Sequence, residues 1–298
     1  RTLGQPAQPT TFGLRAAGWL GGLDAATAEL ARVRDSLLAV QLGGAVGTLT
    51  GYPGRGLEVT AYLADELGLA DPGTPWHTER SRVHALGSAL GATVATCGKV
   101  ATDVVLQSQG EIGEVAEGTP GGSSAMPHKQ NPTASVLVVA AARRSPGLLG
   151  TLLTAGVHEQ ERATGSWHAE WPALRDLLRL AGGAAARTAS ILGGLRVDPA
   201  AMRRNLDAAG PGVMSEALAT VLVPALGRLG AQEAVRRALA EVPGGGLELV
   251  AVLRRDPKVA DAVSEDELST RLDPVNGLGA AEELVDRHLR SHDRKERR

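Results

Sequence analysis

Residues 76–109 read WHTERSRVHALGSALGATVATCGKVATDVVLQSQ and contain no proline. Apolar or small side chains recur there at alternating intervals of three and four residues, which places them on one face of an α-helix. A helix of about 34 residues would extend roughly 50 Å, well beyond an ordinary globular helix. Such a helix needs long neighbours, so the segment predicts an all-α bundle. The predicted buried face consists of Val83, Leu86, Leu90, Thr93, Cys97, Val100 and Val104.

Three glycines, Gly87, Gly91 and Gly98, lie within this stretch. In a helix interior each costs about 1 kcal/mol relative to alanine. Close approach of a second helix, in the same chain or in another subunit, would offset that cost because glycine has no side chain. The glycines therefore predict a tightly packed bundle.

Further helical patterns flank this segment. Apolar residues between 23 and 40 step by three and four, and similar patterns recur over 133–157 and 173–192. Pro146 predicts a kink in the first of these two later segments.

The helical patterns change near residue 196. Beyond it the segments shorten, and proline and glycine multiply. We expect a central helical-bundle domain over residues 1–195 and a smaller C-terminal helical domain over residues 196–298.

The composition excludes several classes of protein. The chain has 298 residues, 43% hydrophobic and 21% charged, enough to bury a core, and disorder is not expected. The low aromatic content of 2% argues against a β-sandwich or β-barrel. A net charge of −2 carries no general electrostatic footprint for nucleic acid, so no nucleic-acid partner is expected.

Three further features bear on location. The single cysteine, Cys97, cannot form an intramolecular disulfide, which favours a cytoplasmic protein. The longest strongly apolar run, residues 134–142, is about half of the roughly 20 residues that a membrane span requires, so no membrane association is expected. The chain begins at Arg1 without a methionine or a signal-peptide pattern, and we expect it to continue a longer protein.

The chemistry is expected in the segment EGTPGGSSAMPHKQNP over residues 117–132, here called the signature loop. Glycines and prolines precede two serines, so the backbone can present its N–H groups. The segment matches neither a phosphate-binding P-loop nor a dinucleotide fingerprint. Lys129 is one of only four lysines, and its ammonium could face a carboxylate or a developing enolate, although a surface lysine in a polar turn fits equally well.

The signature loop resembles the motif GSSxMPxKxNP of the fumarase/aspartase superfamily, matched without a gap over residues 122–132. The first ten residues, RTLGQPAQPT, are similar to a second motif of that superfamily, RTHLQxAxPxT. The resemblance extends over nearly the whole chain. It implies the all-α long-helix fold, and it implies a further N-terminal domain upstream of Arg1.

Departures from these motifs indicate which branch of the superfamily the chain resembles. Many relatives carry a His in the second motif and a Glu five residues after the loop Asn, and Leu3 and Val136 occupy these positions here. Residues 158–171, HEQERATGSWHAEW, resemble the wording HExERATGAWHAEW of the 3-carboxy-cis,cis-muconate cycloisomerases. Gln130 stands where Arg is usual. The chain therefore resembles this branch more than the adenylosuccinate lyases.

The resemblance implies conversion of 3-carboxy-cis,cis-muconate to 4-carboxymuconolactone, without a cofactor or metal. Ser123 would transfer the proton, while Lys129 and Asn131 would hold substrate carboxylates. It also implies a homotetramer whose sites are shared between subunits. The other candidate substrate-binding residues are Thr2, Gln5, Ser124, Met126, His128, Arg80 and Arg162.

Several alternatives stay open at this point. A lyase that eliminates fumarate from a substituted succinate would use the same loop, and a non-catalytic protein could keep the same scaffold. Arg80 and Arg162 could instead form helix-surface ion pairs, and His128 could simply stabilise the loop. His158-Glu159 is not a zinc-protease motif, because Arg162 stands where the second His would be.

Overall fold

The structure is a computed structural model that describes residues 1–242 and 247–296. Its regular secondary structure is almost entirely helical, which confirms the all-α prediction. A two-residue antiparallel pair joins β1 (Val115–Ala116) to β2 (Arg196–Val197). The helices are α1 Phe12–Leu37, α2 Gly56–Leu67, α3 Ser81–Gln107, α4 Thr133–Ala155, α5 Ser166–Gly193, α6 Pro199–Ala208, α7 Ser215–Glu241, α8 Leu247–Leu253, α9 Pro257–Ala262, α10 Glu265–Leu272 and α11 Ala281–Glu296.

The chain divides into two compact units. The bundle unit comprises residues 19–110 and 115–197, and the terminal unit comprises residues 1–18, 111–114 and 198–298. The first 18 residues thus group with the C-terminal segment, whereas the sequence patterns place them with the bundle. The predicted domain boundary at 195/196 stays a prediction.

Helices α3, α4 and α5 pack against one another in the bundle unit. Their shared core is apolar and almost free of solvent, and it includes Val94, Val104, Val138, Leu152 and Leu177. The apolar stripe read from the sequence is therefore buried as predicted over most of α3, although Leu86 is only half-buried.

Two of the three glycines in α3 lie at close helix contacts. A Cβ at Gly98 would collide with the Cβ of Ala142 on α4, and one at Gly87 would lie 2.8 Å from Leu152 Cδ1. A Cβ at Gly91 would make an ordinary 3.4 Å contact with Leu149. The predicted close packing is confirmed for Gly87 and Gly98, and it occurs within the chain.

The observed helices differ from the sequence patterns at several points. Helix α1 begins at Phe12, eleven residues before the pattern that starts at residue 23. Helix α3 begins at Ser81 rather than Trp76, and the Glu79 carboxylate accepts the Ser81 backbone N–H at 2.9 Å at this helix start. Helix α5 begins seven residues earlier than predicted and contains Pro172 in its first turns. Helix α4 continues through Pro146 without a break, and the kink expected there stays a prediction.

The terminal unit has its own core, in which α7 packs against α8, α9 and α10. Buried residues there include Leu218, Leu222, Val235, Leu249 and Leu268. Helix α7 changes direction at Gly227, which has a left-handed φ of 69° that a glycine adopts without strain.

Three stretches are long and apolar enough to cross a membrane, judged by length and composition alone: α3, α4 and residues 211–241. The sequence argument considered only the strongly apolar run at 134–142. Half of the apolar window of α3 is buried in the structure, against 17% for α4.

Candidate active site

The signature loop is closed at its base by backbone pairing. Gly121 and Asn131 exchange two N–H···O hydrogen bonds, each of 2.8 Å. The Asn131 side-chain amide also donates to the carbonyl oxygens of Gly121 and Gly122, both at 3.3 Å. The predicted carboxylate ligand Asn131 therefore holds the loop closed in this structure, and a contact with substrate stays a prediction.

Glu117, the first residue of the loop, ties the start of the loop to the N-terminus of helix α4. Its buried carboxylate accepts hydrogen bonds from the Ser135 amide at 2.7 Å, the Ser135 hydroxyl at 2.6 Å and the Ala134 amide at 3.2 Å. The first N–H groups of a helix lack partners within the helix, and a carboxylate there also complements the helix dipole. The loop is thus fixed at both ends while residues 122–130 face solvent or a ligand.

Ser123 lies half-buried in the loop, and its Oγ accepts the Met126 backbone N–H at 3.1 Å. A hydrogen bond to the oxygen favours its deprotonated form, as a proton-transferring serine requires. The Lys129 backbone N–H donates to the Met126 carbonyl at 2.9 Å, which forms a tight turn behind Ser123. Among the described residues, no carboxylate pairs with the Lys129 ammonium.

The other predicted ligands in the loop are accessible. Ser124, Met126 and His128 are all exposed. The predicted residues of the loop are Ser123, Ser124, Met126, His128, Lys129 and Asn131, and their joint contact with a substrate stays a prediction.

Thr2 and Gln5 lie in the terminal unit and form a tight turn, with mutual backbone hydrogen bonds of 2.9 and 3.0 Å. Leu3 and Gly4 between them both have positive φ, and Leu3 projects fully into solvent. Both predicted ligands are exposed, and their contact with a substrate stays a prediction.

A buried carboxylate supports this turn. Arg1 donates two hydrogen bonds to Glu114, at 2.9 and 3.1 Å, and Asn205 donates a third at 2.9 Å. Burial by itself would raise the pKa of Glu114, but the hydrogen bonds from Arg1 and Asn205 and the charges of Arg1 and Arg15 lower it below the ordinary value.

Arg80 is buried in an ion pair. Its guanidinium donates to both oxygens of Glu170, at 3.0 and 2.6 Å, and to the His77 carbonyl at 3.0 Å. His158 Nε2 lies 3.1 Å from the same carboxylate. The sequence left open that Arg80 forms an ion pair instead of binding substrate. The geometry matches that alternative, although the pair is buried rather than at the surface. Substrate binding by Arg80 stays a prediction and would require the pair to open.

Arg162 is exposed and held from two sides. Its Nη2 donates to the Gly44 carbonyl at 2.9 Å, and its guanidinium lies 5.6 Å from the centre of the Trp167 ring. His77 contacts the same ring edge-on, with ring centres 4.6 Å apart. Burial and the nearby charges of Arg162 and Arg80 lower the pKa of His77. Among the described residues, no carboxylate pairs with the Arg162 guanidinium.

Three functional or supporting residues were missed by the sequence reasoning. Glu117 and Glu170 are buried carboxylates, each with three hydrogen bonds from two partner residues, and Arg196 reaches the signature loop. A glutamate in a polar loop or at a helix start carries no sequence signal that distinguishes burial from exposure. Across the described residues, no cluster of three or more His, Cys, Asp or Glu side chains is arranged to hold a metal ion.

Two family models match the chain. The model described as Lyase matches residues 1–147, and that described as Adenylosuccinate lyase C-terminus matches residues 211–288. A crystal structure of the 3-carboxy-cis,cis-muconate lactonizing enzyme from Pseudomonas putida superposes with a TM-score of 0.86 at 41% identity. The superposition covers 99% of this chain and 66% of the Pseudomonas putida chain. This chain belongs to the fumarase/aspartase superfamily.

Curated relatives within the superfamily point to two activities. The chain is 43% identical over 295 residues to a 3-carboxy-cis,cis-muconate cycloisomerase of Pseudomonas aeruginosa. It is also 44% identical over 306 residues to a nitrosuccinate lyase of Streptomyces davaonensis. The alignments cover 98% and 99% of this chain, which spans 64% of the length of each relative.

Proposed function

We propose that the chain is the larger part of an enzyme that interconverts 3-carboxy-cis,cis-muconate and 4-carboxymuconolactone. The observation that carries this proposal is the signature loop, in which Ser123 Oγ accepts the Met126 N–H and Lys129 stands close by in sequence without an ion pair among the described residues. Several superfamily relatives with the same name add support, at 35–43% identity.

The chemistry begins with binding of a polycarboxylate. Lys129 supplies a compact positive charge, and the backbone N–H of Ser124 supplies a further donor in the same loop. Arg162, whose guanidinium is exposed and without a carboxylate partner in the described chain, is a second source of positive charge. Thr2, Gln5 and His128 are further polar ligands in this proposal.

Ring closure then forms one C–O bond. A substrate carboxylate oxygen adds to an activated C=C bond, and the π electrons move onto another carboxylate as an aci-anion. The Ser123 hydroxyl gives its proton to the neighbouring carbon, and the resulting alkoxide regains a proton from solvent. In the reverse reaction the alkoxide removes the proton from that carbon. Stabilising the aci-anion is the largest demand on the site, and Lys129 and the loop amides meet it.

The test follows loss of the diene absorbance of 3-carboxy-cis,cis-muconate, using the chain alone and the chain joined to the upstream segment of a relative. We expect Ser123→Ala to lower kcat by about 10²–10⁴-fold. Ser36→Ala, at an exposed serine near the end of α1, should leave kcat unchanged. No turnover in any form of the protein would contradict the proposal.

A second candidate is β-elimination from a substituted succinate, and the relative named nitrosuccinate lyase favours it. The same loop would remove a proton from carbon and stabilise the aci-anion before the substituent leaves. The two activities are distinguished by supplying nitrosuccinate and adenylosuccinate in parallel assays and measuring fumarate. Fumarate formation without loss of the diene would replace the first proposal with this one.

Within the same proposal, the protein is a soluble, cytoplasmic homotetramer whose sites combine residues from different subunits, without a nucleic-acid or membrane partner. Helix α4 supports assembly, because three of its apolar side chains, Val136, Leu137 and Leu153, are each about half exposed. Apolar side chains in that number on one helix are typical of a face covered by another subunit.

A further inference from the structure

Three features place the segment that follows α5 against the base of the signature loop. β2 pairs with β1, which sets Arg196 opposite Ala116, the residue before Glu117. Gly118 lies directly on the backbone of Gly194, where a Cβ would be 2.6 Å from the carbonyl oxygen. Between these contacts lies a small cavity lined by Glu117, Gly118, Thr119, Ala134, Ser190, Ile191 and Gly194.

Arg196 connects the two ends of the loop. Its Nη2 donates to the Glu117 carbonyl, at the start of the loop, and to Gln130 Oε1, near its end, both at 3.2 Å. Gln130 directly follows Lys129, so the position of this side chain affects the position of the ammonium. The bonds at Gly121 and Asn131 close the base of the loop. Within the described part of the chain, the Arg196–Gln130 bond is the one side-chain hydrogen bond that links residues 122–130 to a residue outside the loop.

We propose that Arg196 is a positioning residue that holds the Lys129 end of the signature loop in its closed arrangement through Gln130. Arg196 itself does not touch the substrate. Because the link joins a charged donor to a neutral acceptor, changing the charge at residue 130 should change its strength in a predictable direction. The proposal concerns loop geometry, and it rests on the proposed function only for its kinetic consequence.

Opening of the loop can be measured by proteolysis, because the chain offers few sites to a protease that cuts after lysine. A lysine-specific endoproteinase can cut the chain after Lys99, Lys129, Lys258 and Lys295 only. Lys129 lies in the loop, while Lys99 lies on α3 of the same unit and reports general unfolding. Each cleavage rate is divided by the rate for the same variant in urea, which removes the effect of the substituted neighbour on the protease.

We expect Arg196→Ala to speed cleavage after Lys129 about fivefold and to leave cleavage after Lys99 unchanged. Gln130→Glu should slow cleavage after Lys129, since a carboxylate binds the guanidinium more strongly than an amide does. Gln130→Arg should speed it, since two guanidinium groups repel each other. The matched control is Arg187→Ala, because Arg187 is an exposed α5 arginine whose guanidinium donates only within its own helix.

The proposal is overturned if Arg196→Ala leaves cleavage after Lys129 unchanged, or speeds cleavage after Lys99 equally. It is also overturned if Gln130→Glu and Gln130→Arg change the rate in the same direction, because a purely structural role of residue 130 would not depend on the sign of its charge.

The kinetic consequence separates this proposal from the proposed function. In the active protein, Arg196→Ala should raise KM for the carboxymuconate about twofold and change kcat less, because only the closed fraction binds substrate well. If the cleavage pattern holds but the protein has no turnover, the proposed function fails and the positioning role stands. If turnover is present and the cleavage rates do not change, the positioning role fails alone.

Discussion

At the scale of single residues, Glu170 joins three separate segments of the bundle unit. Its carboxylate is 2% exposed and binds Arg80, which precedes α3, and His158, which lies between α4 and α5. The His158 side chain is fully buried, and its Nδ1 has no partner in the described structure. An ion pair of this kind is costly to disrupt, since the remaining charge has neither water nor a partner.

Replacing Glu170 with glutamine should therefore lower the free energy of unfolding by about 3 kcal/mol, since Arg80 would keep its charge in a buried site. Urea denaturation followed by circular dichroism measures the change. Glu29→Gln removes an exposed ion pair with Arg32 and should leave the midpoint unchanged. Equal midpoints for the two variants would show that the buried pair does not stabilise the unit.

His77 predicts a pH dependence of stability. Its pKa is lowered in the folded protein by burial and by the charges of Arg162, Arg80 and His158, which outweigh the opposite effect of Glu170. As the pH falls through the ordinary value of 6.5, the unfolded chain takes up a proton that the folded chain resists. The contribution of His77 to the free energy of unfolding should thus be fully present above this pH. It should decrease as the pH falls below this value, until the pKa of the folded state is reached.

Thermal melts between pH 8 and pH 5 test this dependence on the intact chain and on His77→Gln. The variant should lose less stability across the interval than the parent chain, because glutamine does not titrate. A parent and variant with the same pH profile would assign the titration to another group.

At the scale of elements, the contact between α3 and α4 depends on Gly98. A side chain there would meet the Cβ of Ala142, which cannot rotate away because it is attached directly to the α4 backbone. The two helices would have to move apart. Gly87 differs, because its nearest neighbour is the flexible end of Leu152.

Gly98→Ala should destabilise the protein by about 1–3 kcal/mol through overpacking, even though alanine is the better helix former. The matched control is Gly182→Ala on α5, where a Cβ meets nothing within 4 Å and should stabilise by about 0.5–1 kcal/mol. Chemical denaturation of both variants gives the two values. A stabilised Gly98→Ala would show that α3 and α4 approach less closely than described.

At the scale of the whole molecule, the exposed apolar side chains of α4 and the proposed sharing of sites lead to one experiment. If Ser123 and Gln5 of one site come from different subunits, two inactive variants can restore each other. Mixed and reassembled from urea, Ser123→Ala and Gln5→Ala chains should recover about a quarter of the activity of the parent, since random mixing leaves that share of sites intact.

The control for this mixing experiment is a pair of variants in one loop, Ser123→Ala with Lys129→Ala, which should not restore activity. Light scattering measures the mass of each sample, and Leu137→Glu on α4 should reduce it. The same substitution at Leu67, an exposed residue of α2, should not. Absence of recovery in a sample of tetrameric mass would place each site within one subunit.

The sequence by itself determined the helical architecture and the segment that carries the proposed chemistry. Apolar residues recur at intervals of three and four in α3, and glycines lie where helices meet. These patterns are local, so they can be recognised in the sequence without knowing how the helices pack. The signature loop is equally local, because its serines, Lys129 and Asn131 lie within eleven residues of sequence that fold back between Gly121 and Asn131.

Only the tertiary structure decided which charged side chains form buried ion pairs or hydrogen bonds and which stay exposed. Arg80 and Arg162 look alike in sequence, yet one is buried against Glu170 and the other is exposed beside Trp167. Glu117 and Arg196 are 79 residues apart and meet only because β1 pairs with β2. The physical reason is that burial and ion pairing depend on contacts between distant segments, which no local pattern encodes.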